Sequence, residues 1–385
     1  MKRRRVLAAT GSAAALAGCL SVPSQQPSSD RLLEDALETV STVEDVSARR
    51  ALTVEVPDSR TERVADVTKR PPTDRRLEMV DSSDLSVPAG AVSVRTTTTT
   101  WEYDPETDTA IERHHPNRIL ADVNRLTLES LREEYDHSYS RTDTVDGRDA
   151  HALLAKPDHD EDELTRSIEF LVGETVYQIP LERSDDDALE DPTVERLVWF
   201  DDATRYPIKE RTTVRDGEAV VSELTLTYED LSLDDGVGEE PFTYEPPAGS
   251  TIETVGTEPV GIYDSRAEAA EVAPYELPEP EIPGPFERDR IVVLEKGDEL
   301  GTSTTLWYGD PDDPERELFV AVRDEQRFDP DALEGDRIDD LDVYCRDGRI
   351  QTLFWRCAEL TYEVSSPYSD EPLEEVASSI GCPSV

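Results

Sequence analysis

Residues 194–214 read Val194-Glu195-Arg196-Leu197-Val198-Trp199-Phe200-Asp201-Asp202-Ala203-Thr204-Arg205-Tyr206-Pro207-Ile208-Lys209-Glu210-Arg211-Thr212-Thr213-Val214. Two runs rich in β-branched and aromatic residues, 194–200 and 205–214, flank a short polar turn. The same pattern recurs outward from this hairpin. Strand-like stretches precede it at roughly 50–56, 61–69, 74–80, 91–103, 108–114, 138–145, 149–156 and 167–181, and another follows at 219–230. Many successive strands with short polar turns imply antiparallel pairing in one large curved sheet. Two helices interrupt the series. Leu32, Leu33, Leu37 and Val40 recur at helical spacing behind Ser29 or Asp30 as cap. Residues 126–135 read as the second helix, with Leu128 and Leu131 on one side. The expected fold class is α+β, with the helices covering one face of the sheet.

A boundary region follows. Pro274, Pro278, Pro280, Pro283 and Pro285 force extended chain, after a possible short helix at 265–272. Residues 253–285 are expected as a proline-rich linker, and 286–385 as a smaller α+β domain. Its strands read at about 289–296, 302–308, 316–323, 340–346, 349–356 and 360–365. A closing helix at 371–380 carries Leu373, Val376 and Ile380.

The amino terminus carries an export pattern. Lys2 to Arg5 are basic, a weakly apolar Ala-rich run follows, and Arg3-Arg4-Arg5-Val6-Leu7 fits a twin-arginine signal. Leu16-Ala17-Gly18-Cys19 resembles a lipobox, whose small residues admit a peptidase and whose thiol takes the lipid. Residues 1–18 are therefore expected as a signal peptide. Residues 19–30 are expected as a lipidated, Ser/Gln/Pro-rich tether, and 31–252 as the first domain. The expected location is the outer face of the cell membrane, held by a lipid anchor on Cys19. No segment approaches the roughly 18 consecutive apolar residues of a membrane-spanning helix.

Acidic residues number 88 against 39 Lys+Arg, a formal net charge of −49. The acid is spread along the whole chain. Strand alternation and aromatics recur to the end, which argues against whole-chain disorder. The better reading is a folded protein with a carboxylate-coated surface, a composition that resembles proteins of halophilic archaea. At molar salt the Debye length is roughly 3 Å, so self-repulsion within such a coat is screened. Nucleic acid and anionic lipid surfaces are not expected as direct partners, since the sequence shows no basic patch to neutralise phosphates. Beyond Cys19 the cysteines are Cys345, Cys357 and Cys382. A two-residue turn at Asp347-Gly348 would put Cys345 on the opposite face from Leu353, Trp355 and Cys357, disfavouring a Cys345–Cys357 bridge. Cys357–Cys382, strand to end of helix, is the expected pairing; otherwise all three are small core residues.

Four stretches resemble the LolA/LolB/RseB group of lipoprotein-handling and lipoprotein-sensing domains. They are Trp101-Glu102-Tyr103-Asp104-Pro105, Asp146-Gly147-Arg148-Asp149-Ala150, the Val198 to Pro207 hairpin, and Pro241-Phe242-Thr243-Tyr244-Glu245-Pro246-Pro247-Ala248-Gly249. The likeness spans about 31–252. It implies an incomplete antiparallel barrel wrapped around helices, with an apolar cavity for acyl chains on its concave face. A half-closed sheet cannot fill its interior with its own side chains, so helices plug it or a lipid enters. Inward-facing candidates are Trp101, Tyr103, Phe170, Val172, Val198, Phe200, Leu224, Leu226 and Tyr228, with Leu128 and Leu131 from the helix above. The alternative is that these residues form an ordinary core. Residues 264–383 are similar to a small uncharacterised domain that often follows LolA-like domains in anchored proteins. Leu353-Phe354-Trp355, the Tyr362 strand and the closing helix carry that likeness. A chain with its own anchor is not expected to shuttle between membranes. The resemblance implies a resident binder of a lipid or lipoprotein, or else an RseB-like sensor acting on a membrane protein partner.

Catalytic patterns are missing from the sequence. There is no Gly-x-Ser-x-Gly, no His-Glu-x-x-His, no phosphate loop and no dinucleotide fingerprint. His114 and His115 are adjacent before Pro116, which on a strand is a poor metal site. Asp158, Asp160, Glu161 and Asp162 lack the glycine and terminal glutamate of an EF-hand. A non-enzymatic protein without cofactor or metal is expected.

Overall fold

A computed structural model describes residues 27–119, 122–157, 167–172, 175–180, 192–295, 301–311, 313–324, 329–330, 333–346, 350–367 and 372–382. The stretches expected as signal and lipobox, with Cys19, the acidic run from 158 and the expected turn at Asp347-Gly348 lie outside the described residues.

Helix α1 (Ser29–Thr42) is capped by Ser28, one residue before the expected cap, whose side chain accepts from the Arg31 N–H at 3.3 Å. Leu33, Ala36 and Val40 make its buried stripe. Strands β1 (Val46–Val56), β2 (Ser59–Arg70), β3 (Asp74–Ser82), β4 (Val92–Arg95), β5 (Thr99–Asp104) and β6 (Thr109–His114) follow. Then come α2 (Val123–Glu133), β7 (Tyr135–Val145), β8 (Arg148–Pro157), β9 (Ser167–Val172), β10 (Thr175–Pro180), β11 (Pro192–Asp201), β12 (Pro207–Asp216), β13 (Ala219–Leu233) and β14 (Thr251–Val255).

Twelve of these strands form one sheet in the order β14-β6-β5-β4-β3-β2-β1-β13-β12-β11-β8-β7. Pairing is antiparallel except between β14 and β6. The two end strands do not meet, so the sheet is an incomplete barrel. Both helices pack on the β1, β13, β12, β11, β8 side, where Leu128, Leu131, Val198, Phe200 and Ile208 join the α1 stripe in one core.

The hairpin from Val194 to Val214 anchors that core. Asp201 is buried, and its carboxylate accepts from the Thr204 N–H and Oγ1, both at 2.9 Å. Thr39 of α1 donates to the Thr204 carbonyl at 2.8 Å, so the acidic turn also fixes the helix. A second buried carboxylate, Asp45, accepts the backbone N–H groups of Asp235, Gly236 and Val237 at 2.8–3.0 Å. It ties the exit of β13 to the start of β1.

Three readings change. The expected strand at 91–103 is the hairpin β4–β5, with Arg95 paired to Thr100. The Thr96 hydroxyl accepts the Thr99 N–H at 3.2 Å and closes the turn. Threonine suits strands and side-chain-capped turns alike, so a run of threonines hides the break. The expected strand at 167–181 is likewise two strands, β9 and β10, paired with each other as a separate sheet. The stretch expected as a linker from 253 contributes to both sheets, through the end of β14 and through β15 (Gly261–Tyr263).

The second sheet runs β15-β16-β17-β18-β22-β21-β20-β19. Its other strands are β16 (Glu287–Glu295), β17 (Thr302–Asp310), β18 (Asp313–Arg323), β19 (Glu334–Ile338), β20 (Leu341–Arg346), β21 (Gln351–Cys357) and β22 (Leu360–Ser366). Helices α3 (Arg266–Val272) and α4 (Leu373–Ile380), with Leu277 and Phe286 from the proline-rich stretch, cover one face. Its opposite face carries Val292, Leu294 and Trp307, against which Ile119 of the first unit packs. Arg125 of α2 also pairs with Asp313 at 3.3 Å.

Cys357 and Cys382 form a disulfide, joining β21 to the end of α4, and the Trp355 indole donates to the Gly381 carbonyl at 3.0 Å. Cys345 pairs with Leu353 and therefore shares the face of Leu353, Trp355 and Cys357. The expected two-residue turn placed it on the opposite face. Pairing of Arg346 with Thr352 leaves a longer connection, and the parity reverses. Closure of a 25-residue separation by the disulfide is worth about 2–4 kcal/mol. Cys382→Ser should lower stability by that amount in denaturant unfolding, and reductant should then have no further effect on the variant.

Candidate ligand-binding site

The helices cover only part of the concave face. Where they stop, two adjoining cavities open. The first, about 260 Å³, lies between α2 and strands β1 to β4 and β11 to β13. Leu128, Leu131, Val198, Leu226 and Tyr228 are on its wall. The second, about 530 Å³, lies over strands β1 to β6, with Leu52, Ala65, Leu77, Met79 and Ile111 along it. Arg50 and Leu77 border both. The larger cavity is mainly apolar, and none of the described helices lies over it.

Register explains which side chains face inward. Val67, Leu77, Ser93, Glu102 and Ile111 are directly opposite one another on β2 to β6. Same-face neighbours on adjacent strands stand in rows. The next row toward the helices is Lys69, Arg75, Arg95 and Thr100. Arg50 pairs with Ala65 on one side and Tyr228 on the other, which places it on the same face. Lys69 donates to the Tyr228 hydroxyl at 2.8 Å. Among the described residues, neither Arg50, Arg75 nor Arg95 has a carboxylate partner, and the Nε of each is buried without a hydrogen bond.

The acids of the first cavity are engaged elsewhere. Asp74 pairs with Arg70 at 2.5 Å and Glu210 with Arg196 at 2.6 Å. Asp122 caps α2, accepting the Asn124 N–H at 2.8 Å. Burial raises the Asp122 carboxyl above its ordinary value, and the hydrogen bonds it accepts oppose that rise. Burial, then the charges of Arg50 and Arg95, pull the Arg75 guanidinium below the usual arginine range. Arg118, whose guanidinium donates to the Thr96 carbonyl and the Thr100 hydroxyl, is lowered to about 10 by burial and then by Arg95.

The expected inward residues divide. Leu128, Leu131, Val198, Leu226 and Tyr228 meet at the first cavity. Phe200 is fully buried beneath the helices. Leu224 is more exposed, at 37%. Phe170 and Val172 belong to β9, outside the large sheet. Trp101 stands on the outer face, in the row of Arg76 and Val94, 5.9 Å from the Tyr244 ring. The exit segment around Tyr244 covers part of that side, so an aromatic is half-buried without facing inward. Tyr103 shares the outer row parity, hydrogen-bonds Asp108 at 3.1 Å and borders the second cavity. Strand alternation alone missed the row Lys69, Arg75 and Arg95, because the charges are far apart in sequence and adjacent only through register. His151 sits between the Tyr139 hydroxyl and Asp202, at 3.3 and 2.7 Å, away from both cavities. Among the described residues no helix is long and apolar enough to cross a membrane.

No protein-family model matches the sequence, and no curated protein matches it. Similar solved structures include the MucA/MucB complex of Pseudomonas aeruginosa, 13% identical over 92% of this chain and 99% of that one, with a TM-score of 0.33. A LolA superfamily protein of Nitrosomonas europaea is 14% identical over 57% of this chain and 99% of its own, TM-score 0.27. The lipoprotein LppX of Mycobacterium tuberculosis is 11% identical over 55% of this chain and 98% of its own, TM-score 0.29.

Packing separates the two halves of the concave face energetically. Leu131 of α2 is fully buried against the sheet, and Leu131→Ala should cost about 2–5 kcal/mol. Met79, half-buried over the larger cavity, should cost roughly 1 kcal/mol as Met79→Ala. Equilibrium unfolding of the two variants measures the difference.

Proposed function

We propose that this chain is an exported protein, anchored by a lipid on Cys19, that holds an acyl chain in the concave face of its first sheet without catalysing a reaction. The observation that carries the reading is the second cavity. It is about 530 Å³, mainly apolar, and left open by helices that plug only the neighbouring half. A folded protein normally buries such a surface, so an open apolar trough marks a binding site. An acyl chain suits it better than a compact ligand, because Leu52, Ala65, Leu77, Met79 and Ile111 are spread over strands β1, β2, β3 and β6. The chain could belong to a free lipid or to a lipoprotein. The signal at 1–18, the tether at 19–30 and the units at 31–252 and 286–385 complete the picture of a resident binder close to one membrane surface.

Titration with a dansyl-labelled fatty acid tests this. Delipidated protein should take up the probe in proportion to protein, with saturation. Met79→Glu puts a carboxylate into the trough and should weaken uptake at least tenfold with the circular-dichroism spectrum unchanged. Trp101→Phe, on the outer face, should leave uptake unaltered. Absence of uptake by the folded wild type across a series of salt concentrations would overturn the reading.

A further inference from the structure

The first cavity has a charge that the rest of the molecule does not explain. The chain carries 88 acidic residues and 39 Lys+Arg, so a base in this fold rarely lacks an acid nearby. Exposed arginines such as Arg49, Arg60 and Arg113 each pair with a carboxylate. Inside the cavity the pattern reverses. Lys69, Arg75 and Arg95 are cross-strand partners on three neighbouring strands, with Arg50 on the same face and Arg118 at the outer end. Like charges directly opposite in a sheet are destabilising. Burial without a partner adds a desolvation cost for the Arg75 guanidinium, and the Nε atoms of Arg50 and Arg95 are buried without a hydrogen bond. Of the acids that share the wall, Asp74 pairs with Arg70 and Glu210 with Arg196, while Asp122 caps α2 and feels the charges of Lys69 and Arg125, leaving Arg50, Arg75 and Arg95 without a carboxylate partner among the described residues. Burial first, and then the charges of Arg50 and Arg95, hold the Arg75 guanidinium below its ordinary value.

We infer that Arg50, Arg75 and Arg95 form an oxyanion site that takes the phosphate head group of an amphiphile, whose chain then runs into the adjoining apolar trough. This deepens the acyl-chain reading and rests on it for the chain, but not for the anion. Arg50 and Leu77 border both cavities, so one molecule can place its head on the arginines and its chain over Leu77 and Met79. Phosphate fits because guanidinium groups bind it through paired, charge-assisted hydrogen bonds, and three of them supply more donors than a single carboxylate accepts. Lys69, held by Tyr228, adds a point charge at the same wall.

The full mature chain is tested with three probes: lysophosphatidic acid, the monoacylglycerol of equal chain length, and inorganic pyrophosphate. Competition against the dansyl fatty acid gives affinities for the first two, and thermal unfolding reports the third. The phosphate amphiphile should bind at least tenfold more tightly than the neutral one. In the double variant Arg75→Gln/Arg95→Gln that preference should vanish, while neutral binding stays within about twofold. The ligand-free variant should unfold at the same or a higher temperature than wild type, because two opposed charges are gone; this also establishes that it folds. Equal affinities of wild type for the two amphiphiles would overturn the anion site and leave the acyl reading standing. If neither amphiphile binds but pyrophosphate raises the unfolding temperature of wild type and not of the variant, the anion site stands with a free phosphate as its ligand, and the acyl reading fails. No response to any of the three would overturn both.

Discussion

The incomplete closure of the first sheet governs the rest of the molecule. A sheet of twelve strands curved on itself encloses more space than its own side chains can fill. Helix α1 has 14 residues and α2 has 11, which is too little helix for the whole concave face. They are spent on one side, where Leu33, Ala36, Val40, Leu128 and Leu131 meet strands β8 and β11. That side is a closed core with fully buried Phe200 and Tyr206, and burial pushes the Tyr206 phenol well above its ordinary value. The other side keeps its apolar floor half-buried. A packed core and an open trough are thus two halves of one continuously paired sheet.

Charge is distributed by the same division. The outer surface is coated with carboxylates, and many outer arginines are paired with them. The inner floor holds guanidinium groups without such partners. A fold selected for stability alone would replace Arg75 and Arg95 with apolar residues of similar volume, since like charges directly opposite in a sheet are costly and hydrophobic replacement is tolerated. Their presence at opposed positions marks a cost that a bound anion offsets.

Much of this fold is legible in the sequence, and the failures have identifiable causes. Helices α1 and α2 announce themselves through the spacing of Leu32, Leu33, Leu37 and Val40 and of Leu128 and Leu131. The hairpin β11–β12 is equally plain, because Asp201 to Thr204 must turn. The break between β4 and β5 is hidden in threonines that satisfy both strand and turn. Strand β14 is hidden because its partner β6 runs parallel to it, and all five of its residues are exposed, so no alternation is written into it. Trp101 was misplaced for a different reason. Alternation separates two faces without saying which is concave, and here the exit segment around Tyr244 covers part of the outer one. The arginine row is legible only after register is known. Lys69, Arg75 and Arg95 look like ordinary outward charges until β2, β3 and β4 are aligned.

An acidic coat and a cationic cavity are compatible, and salt decides how. In dilute buffer the coat would repel an anion at a distance well beyond contact. At molar ionic strength the Debye length shrinks to roughly 3 Å, and the coat acts only on what touches it. Long-range steering is lost for either sign of charge, so an anion approaches as freely as a neutral molecule. Recognition then depends on groups shielded from bulk ions, where screening is weak. The guanidinium groups of Arg50, Arg75 and Arg95, which line a cavity beside α2 with their Nε atoms buried, come closer to that condition than exposed arginines such as Arg60. A binding site for an anionic amphiphile on so acidic a protein therefore has to be a cavity: the surface can carry the negative charge because recognition has been moved inside.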